Sequence, residues 1–332
     1  MKAAVLTGRR NIVVMEVDDP SCARDEIIIR TERCGICRTD RKAYHSGQRD
    51  LNMPRVLGHE IAGCVREAGK DFASFAPGDR VVIHPGLICG TCGYCGDGRD
   101  NLCDGMRIIG FNEDGGFQEY IKLNKRDEAN ILRIPASLAS DMAALSEPMA
   151  CAVHQKKMIG LSSGRVLIVG SGALGILSAK LWGASGAVET VIVDINPKKI
   201  KIASEIGLDA CAGEDFAEKF PKTYFDAALV CCPTNDGLKT GIGYLKKGGA
   251  LGFFSGLTDT SMETSLLNEV HYRELRVYGS YGCSLSDTKD ALNLLPGVDL
   301  PGRLITEIDL EGVAGRLENI ETDDIFTQIK YI

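Results

Sequence analysis

The sequence of 332 residues has no excess of basic residues and no apolar run long enough to cross a membrane. Its 45 acidic and 38 basic residues give a formal net charge of −7, without the positive patch that nucleic acid or an anionic membrane would need. The most apolar stretch, Val166 to Ala179, ends at Lys180 and falls short of the roughly 18–20 residues of a membrane helix. We therefore predict no nucleic-acid partner and no membrane partner.

The N-terminus lacks the pattern of a secretory signal peptide, because Gly8-Arg9-Arg10 interrupts the first apolar residues and no small-residue cleavage site follows. The cysteine count also lacks the even number of a fully paired framework: there are 13 cysteines, about 4% of the chain. That density is too low for a disulfide scaffold of this length. We expect a cytoplasmic protein, in which clustered thiols favour metal binding over disulfides.

The chain is 44% apolar and long enough for about two domains. Its sequence shows two different patterns of apolar residues and turn signals. Residues 1–150 carry short β-branched runs separated by turn signals, which predicts a β-rich domain. Residues 151–284 alternate apolar runs such as VLIVG and TVIVD with helical segments, which predicts βαβ units on a parallel sheet. Residues 285–332 show a mixed, more charged pattern and are expected to pack back on the first domain. The predicted class is α/β.

Four cysteines, Cys89, Cys92, Cys95 and Cys103, lie close together in the glycine-rich segment CGTCGYCGDGRDNLC. Four thiolates at this spacing can surround one tetrahedral zinc, and a closed site of this kind leaves no position for a substrate. An iron–sulfur cluster also uses four cysteines and is the alternative. The segment predicts a structural zinc site.

A second set of possible ligands is spread over three pieces of the chain: Cys37, then His59 and Glu60, then Glu147. A catalytic zinc takes three protein ligands and keeps one position open for water or substrate. None of these pieces is specific by itself, since single cysteines and histidines are commonly structural.

A glycine-rich turn follows the apolar strand VLIVG and precedes a helical segment. Gly170, Gly172 and Gly175 form GxGxxG, in which the second glycine lets a pyrophosphate approach the backbone at a helix N-terminus. Asp194 ends the next apolar run, 24 positions after Gly170, where an acidic residue favours NAD over NADP. Lys198 and Lys199 follow closely, so the sequence does not exclude NADP as the coenzyme. The turn residues expected at the coenzyme are Gly170, Gly172, Ala173, Leu174 and Gly175.

Taken together, these motifs resemble the zinc-dependent medium-chain alcohol and polyol dehydrogenases over nearly the whole chain. The resemblance rests on the order and spacing of many pieces. They are GICRTD at 35–40, GHE at 58–60, PGDRV at 77–81, the four-cysteine segment, GGF at 115–117, EP at 147–148, the glycine-rich turn and Asp194. The EP pair makes the chain similar to the sorbitol, threonine and glucose dehydrogenase branch.

The resemblance implies a GroES-like catalytic domain, formed by residues 1–150 and 285–332, and a Rossmann NAD-binding domain at residues 151–284. It implies an active site in the cleft between them and two zinc ions per chain. The catalytic zinc would be held by Cys37, His59 and either Glu60 or Glu147, with Cys151 a less favoured ligand. The family is usually dimeric or tetrameric, so a homodimer or homotetramer is expected.

The resemblance also assigns roles to single positions. Thr39 would hydrogen-bond the substrate oxygen and begin a proton relay, Arg38 would contact the coenzyme pyrophosphate, and Lys199 its ribose. Many members carry a histidine five residues after the catalytic cysteine, whereas this chain has Lys42. Lys42 could carry protons if burial lowered its pKa, or water could do so in its place.

The sequence therefore predicts a zinc-dependent enzyme that transfers hydride between NAD and a secondary alcohol, either a polyol, a sugar or a related polar compound. The small-molecule partner would be this alcohol or its ketone. One alternative is a dehydrogenase of simple alcohols and aldehydes. A second is a zinc-stabilised binding protein without catalytic activity.

Overall fold

We analysed a computed structural model that describes residues 1–184, 186, 188–257, 264–319 and 323–331. It divides into two units. The first comprises Met1–Glu147, Ser284–Gly297 and Gly302–Ile332, and the second comprises Pro148–Cys283 and Val298–Pro301. These bounds differ from the sequence-based division at residues 148–150, 284 and 298–301.

Strands and helices are numbered separately in chain order. The strands are β1 (Lys2–Gly8), β2 (Asn11–Glu16), β3 (Glu26–Gly35), β4 (Arg55–Val56), β5 (Glu60–Ala68), β6 (Arg80–Ile83), β7 (Gly86–Leu87), β8 (Arg107–Ile108), β9 (Tyr120–Asn124), β10 (Ile131–Arg133), β11 (Gly164–Val169), β12 (Val188–Asp194), β13 (Asp209–Ala212), β14 (Phe225–Val230), β15 (Leu245–Phe253), β16 (Arg276–Gly279), β17 (Ile305–Ile308) and β18 (Phe326–Lys330). The α-helices are α1 (Arg38–Ser46), α2 (Gly93–Gly96), α3 (Ser140–Ala143), α4 (Ser146–Ile159), α5 (Ala173–Gly183), α6 (Pro197–Glu205), α7 (Gly213–Lys219), α8 (Asn235–Tyr244), α9 (Thr264–Tyr272), α10 (Leu285–Leu294) and α11 (Val313–Glu318).

The first unit is rich in β structure, as predicted. Its seven-stranded sheet runs β10-β6-β5-β3-β18-β17, with β9 also paired to β3, and a three-stranded sheet runs β2-β1-β4. The β-branched residues of β3 and β5 form its core: Ile27, Ile29, Ile61 and Val65 are at most 1% exposed. Burying a side chain of this size contributes roughly 1.5–3 kcal/mol, which explains why these runs form central strands.

The pairing of β3 with β5 places two functional segments side by side. The antiparallel register sets Gly35, the last residue of β3, opposite Glu60, the first residue of β5. A Cβ at position 35 would lie 1.8 Å from Glu60 Oε2, so only glycine leaves room for this carboxylate. Cys37 and His59 flank the paired ends and are therefore brought together although 22 positions (59 − 37) separate them.

The second unit is the predicted doubly wound parallel sheet. Its six strands run β13-β12-β11-β14-β15-β16 and all pair in parallel. Residues Val166, Leu167 and Ile168 of β11 are fully buried, as expected for a strand covered on both faces. The strand order reverses on either side of β11, and such a switch point is where open α/β sheets bind ligands.

The turn after β11 depends on two glycines. Gly170 has a φ of +105°, a conformation that side-chain-bearing residues rarely adopt. Gly175 lies on α5 directly against this turn, and a Cβ there would meet the carbonyl oxygen of Gly170 at 1.9 Å. Close packing of the helix on the strand therefore requires a glycine at position 175.

None of the helices in the described part of the chain combines the length and the hydropathy of a membrane-spanning segment.

We expect Gly175→Ala to destabilise the second unit by roughly 1–3 kcal/mol, because the added methyl group cannot fit beside the Gly170 carbonyl. Urea unfolding can be followed by the fluorescence of Trp182, the single tryptophan, which is fully buried in α5. The matched control is Gly183→Ala in the same helix, where no heavy atom lies within 4 Å of the added Cβ. Equal unfolding midpoints for both variants would contradict the packing argument.

Candidate metal and coenzyme sites

Three predicted metal ligands meet in the first unit. The ligand atoms of Cys37, His59 and Glu60 all lie within 4.8 Å of one another. His59 is 6% exposed and Glu60 is 8% exposed, whereas Cys37 is half-buried. The set combines one thiol, one imidazole and one carboxyl group, which matches the borderline ligands that zinc takes in catalytic sites.

A residue that the sequence analysis did not single out organises this group. Asp40 is completely buried at the start of α1, where its Oδ2 accepts the Cys37 N–H at 2.9 Å. Its Oδ1 accepts the Gly58 N–H at 3.2 Å and lies 3.3 Å from His59 Nδ1. One carboxylate therefore ties the cysteine-bearing helix to the histidine-bearing segment. The signal in the sequence was an acidic residue three positions after a helix N-cap, the position that bonds the N-cap backbone.

The contact with Asp40 also orients the histidine. With Nδ1 directed to Asp40, Nε2 is the ring nitrogen left for a metal, as in the carboxylate–histidine–zinc arrangement. The buried Nδ1 makes no well-aligned hydrogen bond among the described residues. The contact with Asp40, at 3.3 Å, is therefore electrostatic.

Burial sets the electrostatics of the group. Burial, and to a smaller extent the negative charge of Glu147, raise the pKa of Glu60 to about 8. Burial also raises the pKa of the Cys37 thiol. For His59, burial lowers the pKa, but the Asp40 carboxylate and Cys37 outweigh it, so the pKa of the imidazole stands well above its usual value. Acidic groups crowded in a buried space are the environment that a divalent cation stabilises, because metal binding displaces their protons.

The two alternative carboxylates occupy different places. A carboxylate oxygen of Glu60 lies within 4.8 Å of the donor atoms of Cys37 and His59. Glu147 lies in the first turn of α4, and its charge raises the pKa of the Glu60 carboxyl group. It does not belong to the group of Cys37, His59 and Glu60, whose donor atoms lie within 4.8 Å of one another. Of the two acids, Glu60 is therefore the one that shares a donor group with both other ligands in this structure.

The remaining predicted residues of this region lie on α1. Thr39 Oγ1 is 3.6 Å from Cys37 Sγ, which places a hydroxyl beside the metal donors. Arg38 and Lys42 are both exposed to solvent. His45 Nε2 contacts the carbonyl oxygen of Leu317 at 3.0 Å on α11, a contact that fixes the end of the helix.

The four cysteines predicted to bind structural zinc also meet. The Sγ atoms of Cys89, Cys92, Cys95 and Cys103 lie within 4.8 Å of one another. Cys89 Sγ accepts the N–H groups of Thr91 at 3.5 Å and Cys92 at 3.4 Å, and these donors lower the pKa of the Cys89 thiol to about 6. Backbone donors directed at sulfur stabilise thiolates, the form in which cysteine binds metals.

In the second unit, Asp194 is tied to the glycine-rich turn. Its Oδ2 accepts the backbone N–H of Ser171 at 2.6 Å and the Ser171 hydroxyl at 3.0 Å, and its Oδ1 accepts the Asn196 N–H at 2.8 Å. Asn196 in turn caps α6, because its side chain accepts the Lys198 N–H at 2.9 Å. Ser171 and Asn196 were not among the predicted residues, although an asparagine followed by proline is a recognisable helix start.

The start of α5 leaves space for a ligand. A Cβ added at Gly172 would meet no heavy atom within 4 Å, and Ala173 and Leu174 beside it are partly exposed. A cavity of about 270 Å³ lies next to Asp194, lined by Ile195, Pro197, Ala212, Gly213 and Glu214. Lys199, the other predicted coenzyme residue, is partly exposed in the first turn of α6.

Comparison with known proteins identifies a known family in each of the two parts of the chain. Residues 23–136 match the family model for the alcohol dehydrogenase GroES-like domain, and residues 170–296 match that for zinc-binding dehydrogenases. Among solved structures, a putative zinc-binding dehydrogenase from Sinorhizobium meliloti bound to NADP superposes with a TM-score of 0.88 at 28% identity, over 99% of both chains. Galactitol-1-phosphate dehydrogenase from Escherichia coli shares the fold, with a TM-score of 0.88 at 21% identity over 100% of both chains.

Sequence relatives extend over most of the chain. An uncharacterised zinc-type alcohol dehydrogenase-like protein from Haemophilus influenzae is 31% identical over 89% of this chain and 87% of its own length. L-threonine 3-dehydrogenase from Aliivibrio fischeri is 29% identical over 89% of this chain and 88% of its own. The chain belongs to the zinc-dependent medium-chain alcohol dehydrogenase family and is an oxidoreductase that acts on CH–OH groups.

Proposed function

We propose that the chain oxidises a secondary alcohol group of a polyol, sugar or related polar compound to a ketone, with NAD as hydride acceptor and zinc held by Cys37, His59 and Glu60. The observation that carries this proposal is the meeting of these three donors within 4.8 Å, with a threonine hydroxyl beside them. The names of several relatives, which include L-threonine 3-dehydrogenases, support a polar alcohol as substrate. Simple alcohols and aldehydes are the alternative substrates.

The residues present fit a catalytic zinc. The donor set is of the type zinc selects, and the three groups are buried or half-buried together with a carboxylate that orients the histidine. Zinc bound here would act as a Lewis acid that lowers the pKa of the substrate hydroxyl, and the nicotinamide would accept the hydride.

The protein's own part in the reaction is to hold groups in place and to pass on a proton. Thr39 Oγ1, beside Cys37 Sγ, is placed to accept the hydrogen of the substrate hydroxyl and pass it on to water. Lys42 is exposed to solvent, so we assign the end of the proton path to water rather than to this residue. Glu147, close to Glu60, is the alternative third ligand.

For the coenzyme, we propose that the N–H groups at the start of α5 receive the pyrophosphate, as the open space at Gly172 permits. The cavity beside Asp194, lined in part by Ile195 and Pro197, would receive the adenosine end of the coenzyme, and the Asp194 carboxylate would accept hydrogen bonds from ribose hydroxyls. A carboxylate there repels a 2′-phosphate and favours NAD, although the S. meliloti structure holds NADP. Comparing turnover with NAD and NADP decides between them.

The four-cysteine group is proposed to hold a second, structural zinc, giving two ions per chain. Its thiols are already within 4.8 Å, and Leu285 at the start of α10 donates its N–H to Asp100 at 3.2 Å within the same segment. This contact links the metal-binding segment to the returning part of the first unit. We also propose a homodimer or homotetramer, with the open edge of the sheet at strand β16 as the candidate contact between copies.

We expect Cys37→Ser to lower the zinc content from two ions to one per chain and to abolish NAD reduction with polyols, sugars and amino alcohols, without unfolding the chain. Metal analysis and NADH absorbance measure both effects. The control is Cys22→Ser, which replaces a partly buried thiol outside the metal groups and should change neither. One zinc per chain in the wild type would refute the two-site proposal. Inactivity of the wild type on every substrate would favour the binding-protein alternative.

We expect Asp40→Asn to weaken zinc binding at the Cys37 group by about 10–100-fold, because the charge that orients His59 is lost. Competition with a chromophoric chelator resolves this zinc from the one held by four thiolates, whose affinity should not change. Asp18→Asn, at an exposed aspartate, is the control. Unchanged affinity in Asp40→Asn would show that the carboxylate serves only to cap α1.

We expect Gly172→Ala to weaken NAD binding at least about 10-fold, since the methyl group would occupy the approach to the pyrophosphate while touching no protein atom within 4 Å. Titration of NADH fluorescence measures the affinity, and urea unfolding should show unchanged stability. Gly183→Ala, at the far end of α5, again serves as the control. Wild-type affinity in Gly172→Ala would place the coenzyme elsewhere.

A further inference from the structure

Two cysteines outside the proposed zinc ligands lie close together in the second unit. The Sγ atoms of Cys151 and Cys283 are within 4.8 Å of each other, although 132 positions (283 − 151) separate them in the chain. A carboxylate oxygen of Glu147, the alternative zinc ligand, lies within the same distance of both sulfurs. Neither is in a disulfide, Cys151 is partly exposed and Cys283 is buried. An S–S bond is about 2.05 Å long, so the two side chains must rotate toward each other before they can bond.

The position of the pair in the chain is unusual. The chain enters the second unit at Pro148 and reaches the end of its main segment at Cys283. The two thiols therefore lie at the two ends of that segment, and a bond between them would close residues 151–283 into a ring. The ring would contain the whole six-stranded sheet.

Both thiols are attached to well-anchored backbone. Cys151 lies on the helix α4. Cys283 directly precedes Ser284, whose hydroxyl accepts the Asp287 N–H at 3.1 Å and whose own N–H donates to Asp287 Oδ2 at 2.9 Å. This capping box fixes the start of α10 and so fixes the backbone on one side of Cys283. One sulfur therefore lies on a helix and the other lies directly before the capped start of a helix.

We propose that Cys151 and Cys283 are a thiol–disulfide exchange site, which low-molecular-weight disulfides such as glutathione disulfide oxidise reversibly to a bond that closes the second unit into a ring.

The exchange proceeds in two balanced steps. The more accessible Cys151, as thiolate, attacks one sulfur of glutathione disulfide, and one glutathione leaves as thiolate, which takes up a proton. Cys283, as thiolate, then attacks the Cys151 sulfur of the mixed disulfide, and the second glutathione leaves. The two protein thiols lose two electrons and two protons, and one glutathione disulfide gains them as two glutathione molecules.

Ring closure has a measurable consequence for stability. A cross-link over more than a hundred residues removes a large part of the chain entropy of the unfolded second unit. The unfolding temperature of this unit should therefore rise by roughly 5–10 °C in the oxidised form. Trp182 lies inside the ring and reports the transition.

The test uses the full zinc-loaded chain incubated with glutathione redox buffers, followed by alkylation of remaining thiols, digestion without reductant and mass spectrometry. We expect a cross-linked pair of peptides that contain Cys151 and Cys283, two fewer alkylated thiols, unchanged zinc content and the rise in unfolding temperature. Dithiothreitol should reverse all of these changes.

Three variants sharpen the test. Cys151→Ser and Cys283→Ser should each lose both the cross-link and the temperature rise, whereas Cys22→Ser should keep them. The proposal is overturned if both thiols of the wild type stay alkylatable in oxidising buffer. It is also overturned if oxidation releases zinc through the four-cysteine group instead, or if Cys151→Ser shows the same temperature rise as the wild type. The mass-spectrometric result needs no variant and holds even if one fails to fold.

Discussion

The buried carboxylate of Asp40 joins the two chain segments that carry the candidate zinc ligands. It accepts N–H groups from Cys37 and Gly58 and lies beside His59, so one side chain fixes the start of α1, the approach to β5 and the direction of an imidazole. Burying a carboxylate is costly unless hydrogen bonds and nearby positive charge compensate for it. The compensation comes from the very groups that the metal site needs in place, so the geometry of the site and the stability of this corner are linked.

In the second unit, too, a carboxylate holds a turn in place, here the glycine-rich turn proposed for the coenzyme. Asp194, at the end of β12, holds the glycine-rich turn through Ser171 and the start of α6 through Asn196. The turn can form because Gly170 adopts a positive φ, and the helix can pack against it because Gly175 lacks a side chain. In both units a carboxylate at the end of a regular element holds a neighbouring turn, and the metal donors or the coenzyme turn lie beside it.

Much of this was predictable, because the decisive signals are local. The glycine spacing after an apolar strand, the four cysteines within one segment and the two patterns of apolar residues and turn signals each depend on neighbours in sequence. The structure confirms the β-rich unit and the parallel sheet. Lys42 is a position that local signals could not predict. The sequence left open whether it is buried, because its exposure depends on what packs against α1.

The sequence by itself determined which chemical groups are present and which short segments carry them: a thiol before RTD, an imidazole in GHE, a glycine-rich turn after an apolar strand and a cluster of four cysteines. Only the tertiary structure decided that Glu60 rather than Glu147 lies within 4.8 Å of the Cys37 and His59 donor atoms. It also decided that Asp40 connects the two segments that carry them, and that the Cys151 and Cys283 sulfurs lie close together. The reason is physical. These contacts join residues far apart in the chain, and their distances are set by strand register and helix packing, which no local pattern encodes.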